Sequence, residues 1–285
     1  MILIKIIKKI SEEHPKLYIW LILQKNPIRI ITSPWRKLPD FIIFGCSRSG
    51  TVALNRYLSQ HPEIIMASRK EVHFFNKDVH FKQGKNWYRS FFPLKIFSEK
   101  KIIGEATPSY IHNPKSAKRI FEILPNVKLI CMLRNPIDRA YSHYFHNIGK
   151  KGRESLEFED AIEQENSRIS YEKYNKIFDG ENFFHYSYLD RGLYLEQILE
   201  WMKIFPKEQF LFIKNEDLEN NIDKTLNDIF KFLNLKPYNI PNKKKINVGN
   251  YPPMKKDTRL KLIEFFRENN KKLANFLDIE LDWNK

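Results

Sequence analysis

The sequence predicts an α/β fold of three layers, a central parallel sheet flanked by helices. Three observations carry that expectation. Short apolar runs, FIIF at 41–44, VKLICML at 127–133 and FLFI at 210–213, are continuous rather than alternating, as suits strands buried on both faces. Segments of helical spacing lie between them, and strand–helix alternation points to a parallel sheet. The chain has 285 residues, 42% hydrophobic and 14% aromatic, enough for one large domain with a sizeable core.

Taken in order, the run at 41–44 is a first strand that leads into a glycine-containing loop. A helix over 51–61 follows, with Leu54, Tyr57 and Leu58 on one face. The run at 127–133 is a second strand and 137–146 its helix. A helix over 193–205 precedes the third strand at 210–213, and another over 222–233 follows it. The last helix, 258–277, is amphipathic, with Leu260, Ile263, Phe266, Leu273 and Phe276 among its apolar positions. Residues 154–184 are polar and less periodic, and are expected to form a mobile insertion near a substrate cleft.

Residues 37–285 are expected to form a single domain, preceded by a basic amphipathic segment at 1–36. The longest apolar run in that segment, 17–23, is far short of the roughly 20 residues that span a bilayer. Its lysines are interleaved with apolar residues and no small-residue cleavage site is evident, so neither a signal peptide nor a transmembrane helix is expected. The segment suits either a packed helix or a helix resting on a membrane surface.

Lysine and arginine number 49 against 34 acids, a formal net charge of +15. Such a field favours anionic partners, although lysine is abundant throughout and the excess need not have a specific one. The two cysteines, Cys46 and Cys131, form neither a disulfide framework nor a zinc pattern, which fits a reducing cytoplasm. No zinc-finger or RNP signature is present, so nucleic acid is not an expected partner.

The sharpest motif is Gly45-Cys46-Ser47-Arg48-Ser49-Gly50-Thr51, between a strand and a helix. Glycines permit tight turning, and a helix N-terminus offers free N–H groups and a positive dipole end to an anion. The motif lacks the lysine that follows the second glycine of a Walker A loop, since Thr51 stands there and the cation, Arg48, lies inside the loop. An ordinary strand–helix turn would use similar residues. A second candidate is Arg134, at the end of the second strand, where open α/β sheets bind ligands. Asn135 and Pro136 suit a helix start, and Ser142 falls about two turns along. An arginine and a hydroxyl so placed can clamp a phosphate, although a surface salt bridge would account for Arg134 alone. Together the two sites suit a nucleoside with phosphates at both ends.

Lys70-Glu71-Val72-His73 places two ionisable groups two apart, on one face if the segment is extended. Burial beside Val72, Phe74 and Phe75 would raise the Glu71 pKa and make it a better base near neutrality. A surface Glu–Lys pair beside a core histidine is the competing reading.

These motifs resemble those of the sulfotransferase family, most of all the heparan-sulfate-type N- and 3-O-sulfotransferase branch and its bacterial relatives. PDFIIFGCSRSGTVALNRYLSQHPEI is similar to the family's 5′-phosphosulfate loop and helix. KEVHFFN is similar to its catalytic strand, and FKQGKNWYRSFFP to the segment after it. GEATPSYI and KLICMLRNPIDRAYSHYFHN resemble the 3′-phosphate region. GLYLEQILEWMKIFPKEQFLFIKNEDL and FKFLNL resemble the later core, and INVGNYPPM the loop that closes over the nucleotide.

The resemblance implies a P-loop-like fold and a donor, 3′-phosphoadenosine 5′-phosphosulfate (PAPS), with no metal. It implies that Arg48, Ser49, Gly50, Thr51 and Val52 cradle the 5′-phosphosulfate and that Arg134 and Ser142 hold the 3′-phosphate. Asn247, Val248, Gly249, Asn250 and Tyr251 would form the closing loop. Glu71 would be the general base, with His73 supporting it or touching acceptor. Lys70 and Trp87 would line the acceptor cleft or serve structure alone. The acceptor implied is a hydroxyl or amine, on a carbohydrate. The chain departs from the branch at Arg48, usually lysine, and at Val52, often threonine, and its closing loop is less basic, with Lys243, Lys244 and Lys245 just upstream. Arginine cannot give a proton to the leaving group as lysine can. The alternatives are a weak or inactive member that holds an anionic glycan and a P-loop small-molecule kinase, which would need ATP and magnesium.

Overall fold

The computed structural model describes residues 27–149, 152–244 and 251–283. Most of the basic segment at 1–36, and the positions Asn247, Val248, Gly249 and Asn250, lie outside the described residues. Five strands form one sheet: β1 (Phe41–Gly45), β2 (Ile64–Met66), β3 (Ile102–Ala106), β4 (Lys128–Leu133) and β5 (Phe210–Lys214). Their order is β2-β3-β1-β4-β5 and every pairing is parallel. All five residues of β1 are buried, as its continuous apolar run requires.

The helices used below are α1 (Thr51–Leu58), α2 (Pro114–Ile123), α3 (Pro136–Ile148), α4 (Phe158–Glu163), α5 (Glu165–Tyr174), α6 (Glu181–Tyr186), α7 (Tyr194–Met202), α8 (Ile222–Phe232) and α9 (Lys256–Leu277). Alternation along β1 splits the core in two. Phe41 and Ile43 pack with Leu54, Tyr57 and Leu58 of α1 and Leu226 and Ile229 of α8. Ile42 and Phe44 face the other way, onto Ala117 and Ile120 of α2 and Ile198 and Trp201 of α7. The Phe44 and Trp201 rings lie 4.3 Å apart. Truncating such a fully buried aromatic costs about 3–5 kcal/mol, so this contact ties β1 firmly to α7. In α9, Ile263, Phe266 and Leu273 are buried, whereas Leu260 and Phe276 are exposed.

The chain leaves β1 towards the β2 edge and leaves β4 towards the β5 edge. Adjacent strands whose connections run in opposite directions open a crevice at their carboxyl ends, where ligands bind in such sheets. The loop after β1 and the start of α3 flank that crevice. Residues 154–184 are not a loose insertion: they fold into α4, α5 and α6. Glu172 accepts from the Asn182 and Phe183 N–H groups, and Asp179 Oδ2 accepts from Asp78 N at 3.0 Å. Those carboxylates satisfy N–H groups that a mobile loop would leave to water. Among the described residues, no helix is long and apolar enough to cross a membrane.

Candidate active site

The loop between β1 and α1 turns by two left-handed residues, Arg48 (φ 70°) and Gly50 (φ 78°). A side chain at Gly50 would place its Cβ 2.1 Å from Asn215 Oδ1, so close packing as well as φ demands glycine there. Ser49 is fully buried, yet its Oγ has no hydrogen-bond partner among the described residues. Buried polar groups are rarely left unmet. An orphan hydroxyl in a glycine-bounded loop at a helix N-terminus fits a group that accepts hydrogen bonds, such as a phosphate. Thr51 opens α1 and is buried, while Val52 is 38% exposed.

At the end of β4, Asn135 Oδ1 accepts from Ile137 N at 3.0 Å, and Pro136 occupies the first turn of α3. This cap orients Arg134, whose Nη1 donates to the Arg48 carbonyl at 3.0 Å. The Arg48 guanidinium reaches across to α3, where Nε and Nη2 lie 3.2 and 3.1 Å from Ser142 Oγ and Nη1 lies 3.4 Å from His146 Nδ1. The two anion sites expected from the sequence are therefore one continuous basic surface. Burial, then the charge of Arg134, push the Arg48 guanidinium below the usual arginine range; Tyr251 and Glu71 oppose that and Arg139 adds to it. A group that repels its neighbours in this way gains from an anion between them.

Glu71 and His73 are not on a strand. Both have left-handed backbones, with φ of 60° and 56°, a conformation non-glycine residues hold only when their surroundings enforce it. The Glu71 N–H donates to the Ala106 carbonyl at the end of β3, at 2.9 Å. This turn still brings the side chains together: Lys70 Nζ lies 2.5 Å from Glu71 Oε1, and His73 Nε2 lies 3.4 Å from Glu71 Oε2. The expectation of a raised Glu71 pKa is overturned. Burial does push it up, but the hydrogen bond from His73 and the charge and hydrogen bond of Lys70 outweigh burial and hold it at about 2.

Of the two readings of Trp87, the structural one has the packing on its side: it is 4% exposed and sits among Phe74, His80 and Phe91. Tyr251 stacks on Phe145 of α3 with ring centroids 4.8 Å apart, which puts the one described residue of the segment expected to close over the nucleotide against the helix that carries Ser142. Arg139 was not anticipated. It is fully buried in α3, donates to the Tyr188 carbonyl, and acts on the pKa of Arg48. The available signal was helical spacing: Arg139, Ser142, His143 and His146 recur at i, i+3, i+4 and i+7 and so share one polar face of α3. Phe184 of α6 stands 5.8 Å from the His73 ring, so the helical insertion touches the Glu71 segment. No group of three or more metal-ligating side chains occurs among the described residues.

Comparison with known proteins finds chains similar to this one. A family model described as a sulfotransferase domain matches residues 38–278. The chain is 30% identical over 315 residues to the membrane-associated sulfotransferase kil1 of Dictyostelium discoideum, covering 86% of this chain and 66% of that protein. It is 30% identical over 206 residues to heparan sulfate glucosamine 3-O-sulfotransferase 5 of Mus musculus, covering 71% of this chain and 55% of that enzyme. The crystal structure of a sulfotransferase from Alicyclobacillus acidocaldarius matches with a TM-score of 0.73 and 28% identity, over 87% of this chain and all of that one.

Proposed function

The chain belongs to the sulfotransferase family, and from that membership we propose that it transfers a sulfuryl group from PAPS to a hydroxyl or amine, on a carbohydrate acceptor. One observation carries the reading. Arg48, Arg134 and Ser142 meet at the carboxyl ends of β1 and β4, while Glu71 is tied to the end of β3, the other neighbour of β1. Three adjacent strands thus bring cations and a carboxylate to one crevice. The orphan Ser49 hydroxyl and the Gly50 turn suit the 5′-phosphosulfate, and Arg134 with Ser142 suits the 3′-phosphate. The heparan-sulfate relative favours a sugar acceptor.

The chemistry is an in-line displacement at sulfur. The acceptor oxygen or nitrogen forms a bond to sulfur as the bond from sulfur to the phosphate oxygen breaks, and the acceptor proton passes to Glu71. Arg48 and the loop N–H groups stabilise the negative charge left on the phosphate. A carboxylate held at about 2 is fully ionised at neutral pH but grips a proton weakly. His73 and Lys70 are the neighbours that hold it there, and an acceptor that draws either away raises the basicity of Glu71 as the reaction starts.

The test compares melting temperatures. Adenosine 3′,5′-bisphosphate is expected to raise the melting temperature more than ATP does, by mass action on the native state. Equal shifts would count against the donor and revive the kinase reading. Glu71→Gln is expected to abolish transfer while retaining the bisphosphate, which also separates an enzyme from a glycan-holding module. Retained turnover would move the base role to His73.

Contact with a membrane surface is part of the proposal. The described start of the chain exposes Ile28, Ile31 and Trp35, and the pairing of Arg36 with Leu94 brings in the exposed turn of Lys95, Ile96 and Phe97. An apolar patch beside lysines suits an anionic bilayer, and one relative is described as membrane-associated. Sedimentation with phosphatidylserine vesicles but not with neutral ones is the expected result.

A further inference from the structure

The carboxylate of Glu105 lies behind the candidate base and takes no part in the scheme above. It is fully buried on β3, and three hydroxyls donate to it: Tyr88 at 2.8 Å, Tyr110 at 3.1 Å and Thr107. Two of those hydroxyls also hold the segment that carries Glu71. The His73 N–H points to Thr107 Oγ1 at 3.4 Å, and the Phe74 N–H donates to Tyr110 Oη at 3.1 Å.

A hydroxyl has one proton and two lone pairs. With the protons of Thr107 and Tyr110 committed to Glu105, their lone pairs face outward, towards the backbone N–H groups. A hydroxyl free to rotate would offer that acceptor only part of the time. The backbone held in this way is the left-handed turn at Glu71 and His73, a conformation that strains non-glycine residues. Something must hold that turn, and the Glu71 N–H bond to Ala106 fixes only its first residue.

We propose that Thr107 and Tyr110, oriented by the buried Glu105 carboxylate, are positioning residues that pin the Glu71–His73 turn and so aim the Glu71 carboxylate into the crevice. The inference rests on Glu71 being the base. Small displacements of a reacting group matter: about 1 Å can cost on the order of a hundredfold in rate.

The experiment uses the full chain with Thr107→Val, Thr107→Ser, Tyr110→Phe and Glu71→Gln. The first readout is amide hydrogen exchange, which needs no acceptor. Exchange at His73 is expected to rise about tenfold in Thr107→Val, and at Phe74 in Tyr110→Phe, with Thr107→Ser close to the parent. The second is turnover with radiolabelled PAPS and desulfated heparan sulfate as the probe acceptor. A fall of about tenfold or more in kcat is expected for Thr107→Val and Tyr110→Phe, with affinity for adenosine 3′,5′-bisphosphate unchanged and Thr107→Ser restored. A purely structural loss would weaken nucleotide binding as well. Unchanged exchange at both amides, or unchanged kcat beside an inactive Glu71→Gln, would overturn the positioning role and leave the base in place. An active Glu71→Gln would overturn the base and this inference with it.

Discussion

Replacing Glu105 by glutamine should change how stability depends on pH, and the size of the change follows from its surroundings. Burial raises the Glu105 pKa from an ordinary 4.5 to about 7, against the pull of the Thr107, Tyr88 and Tyr110 hydroxyls and with a further push from Glu71. A carboxyl raised on folding stabilises the native state fully below its unfolded pKa, and that contribution is lost as pH rises through the folded value. Between pH 5 and pH 8 the loss is about 2.5 kcal/mol, taking about 1.4 kcal/mol per pH unit over most of that window. Glutamine does not titrate. Its carbonyl oxygen can still receive Thr107 and Tyr110, which keeps the variant folded. Urea denaturation of both proteins at several pH values gives the difference in unfolding free energy. That difference should move in favour of the glutamine protein by about 2.5 kcal/mol from pH 5 to pH 8. Glu165, also raised to about 7, and the buried His112 and His143, lowered by burial, titrate in both proteins and cancel. A difference that stays flat across the range would refute the assignment of a proton-binding Glu105.

Lys70→Met removes one of the groups that hold Glu71 at about 2, so the pH at which kcat/KM fails on the acid side should move upward. An acid limb identical to the parent's would show that Lys70 does not govern the base. Gly50→Ala must place a Cβ against Asn215 at a φ of 78°. It should lose at least about 1–2 kcal/mol of stability from the left-handed backbone alone, and it should lose nucleotide binding, measured by melting temperature with and without adenosine 3′,5′-bisphosphate.

The features legible in the sequence were those set by neighbours along the chain. β1, β4 and β5 announced themselves as continuous apolar runs, and the Asn135-Pro136 start of α3 by its capping chemistry. β2 escaped notice because it is only three residues long, and β3 because Gly104 and Glu105 break its apolar pattern. The polarity of β3 makes sense only with Tyr88, Thr107 and Tyr110 around its carboxylate, and Tyr88 comes from another part of the chain. The left-handed turn at Glu71 is hidden from the sequence for the same reason: it is held by Ala106 at the end of β3 and by Thr107, the residue that follows. Local sequence showed the apolar flank of Glu71 but not how closely Lys70 and His73 approach it, so the direction of its pKa was read backwards. Arg48, Arg134 and Ser142 stand out in the sequence one by one, but that they meet is a property of strand order, which no local pattern reveals.

The docking of α6 bears on how this part of the molecule could be exchanged with that of a homologue. Asp179 receives the Asp78 N–H, and Phe184 lies against His73 with Lys77 and Arg191 over its ring. Helices transplanted here from a homologue would arrive without those handholds unless Asp179 and Phe184 travelled with them. A graft lacking the pair would leave the Glu71–His73 segment without that support, so chimeras should be cut outside 179–184, not within it.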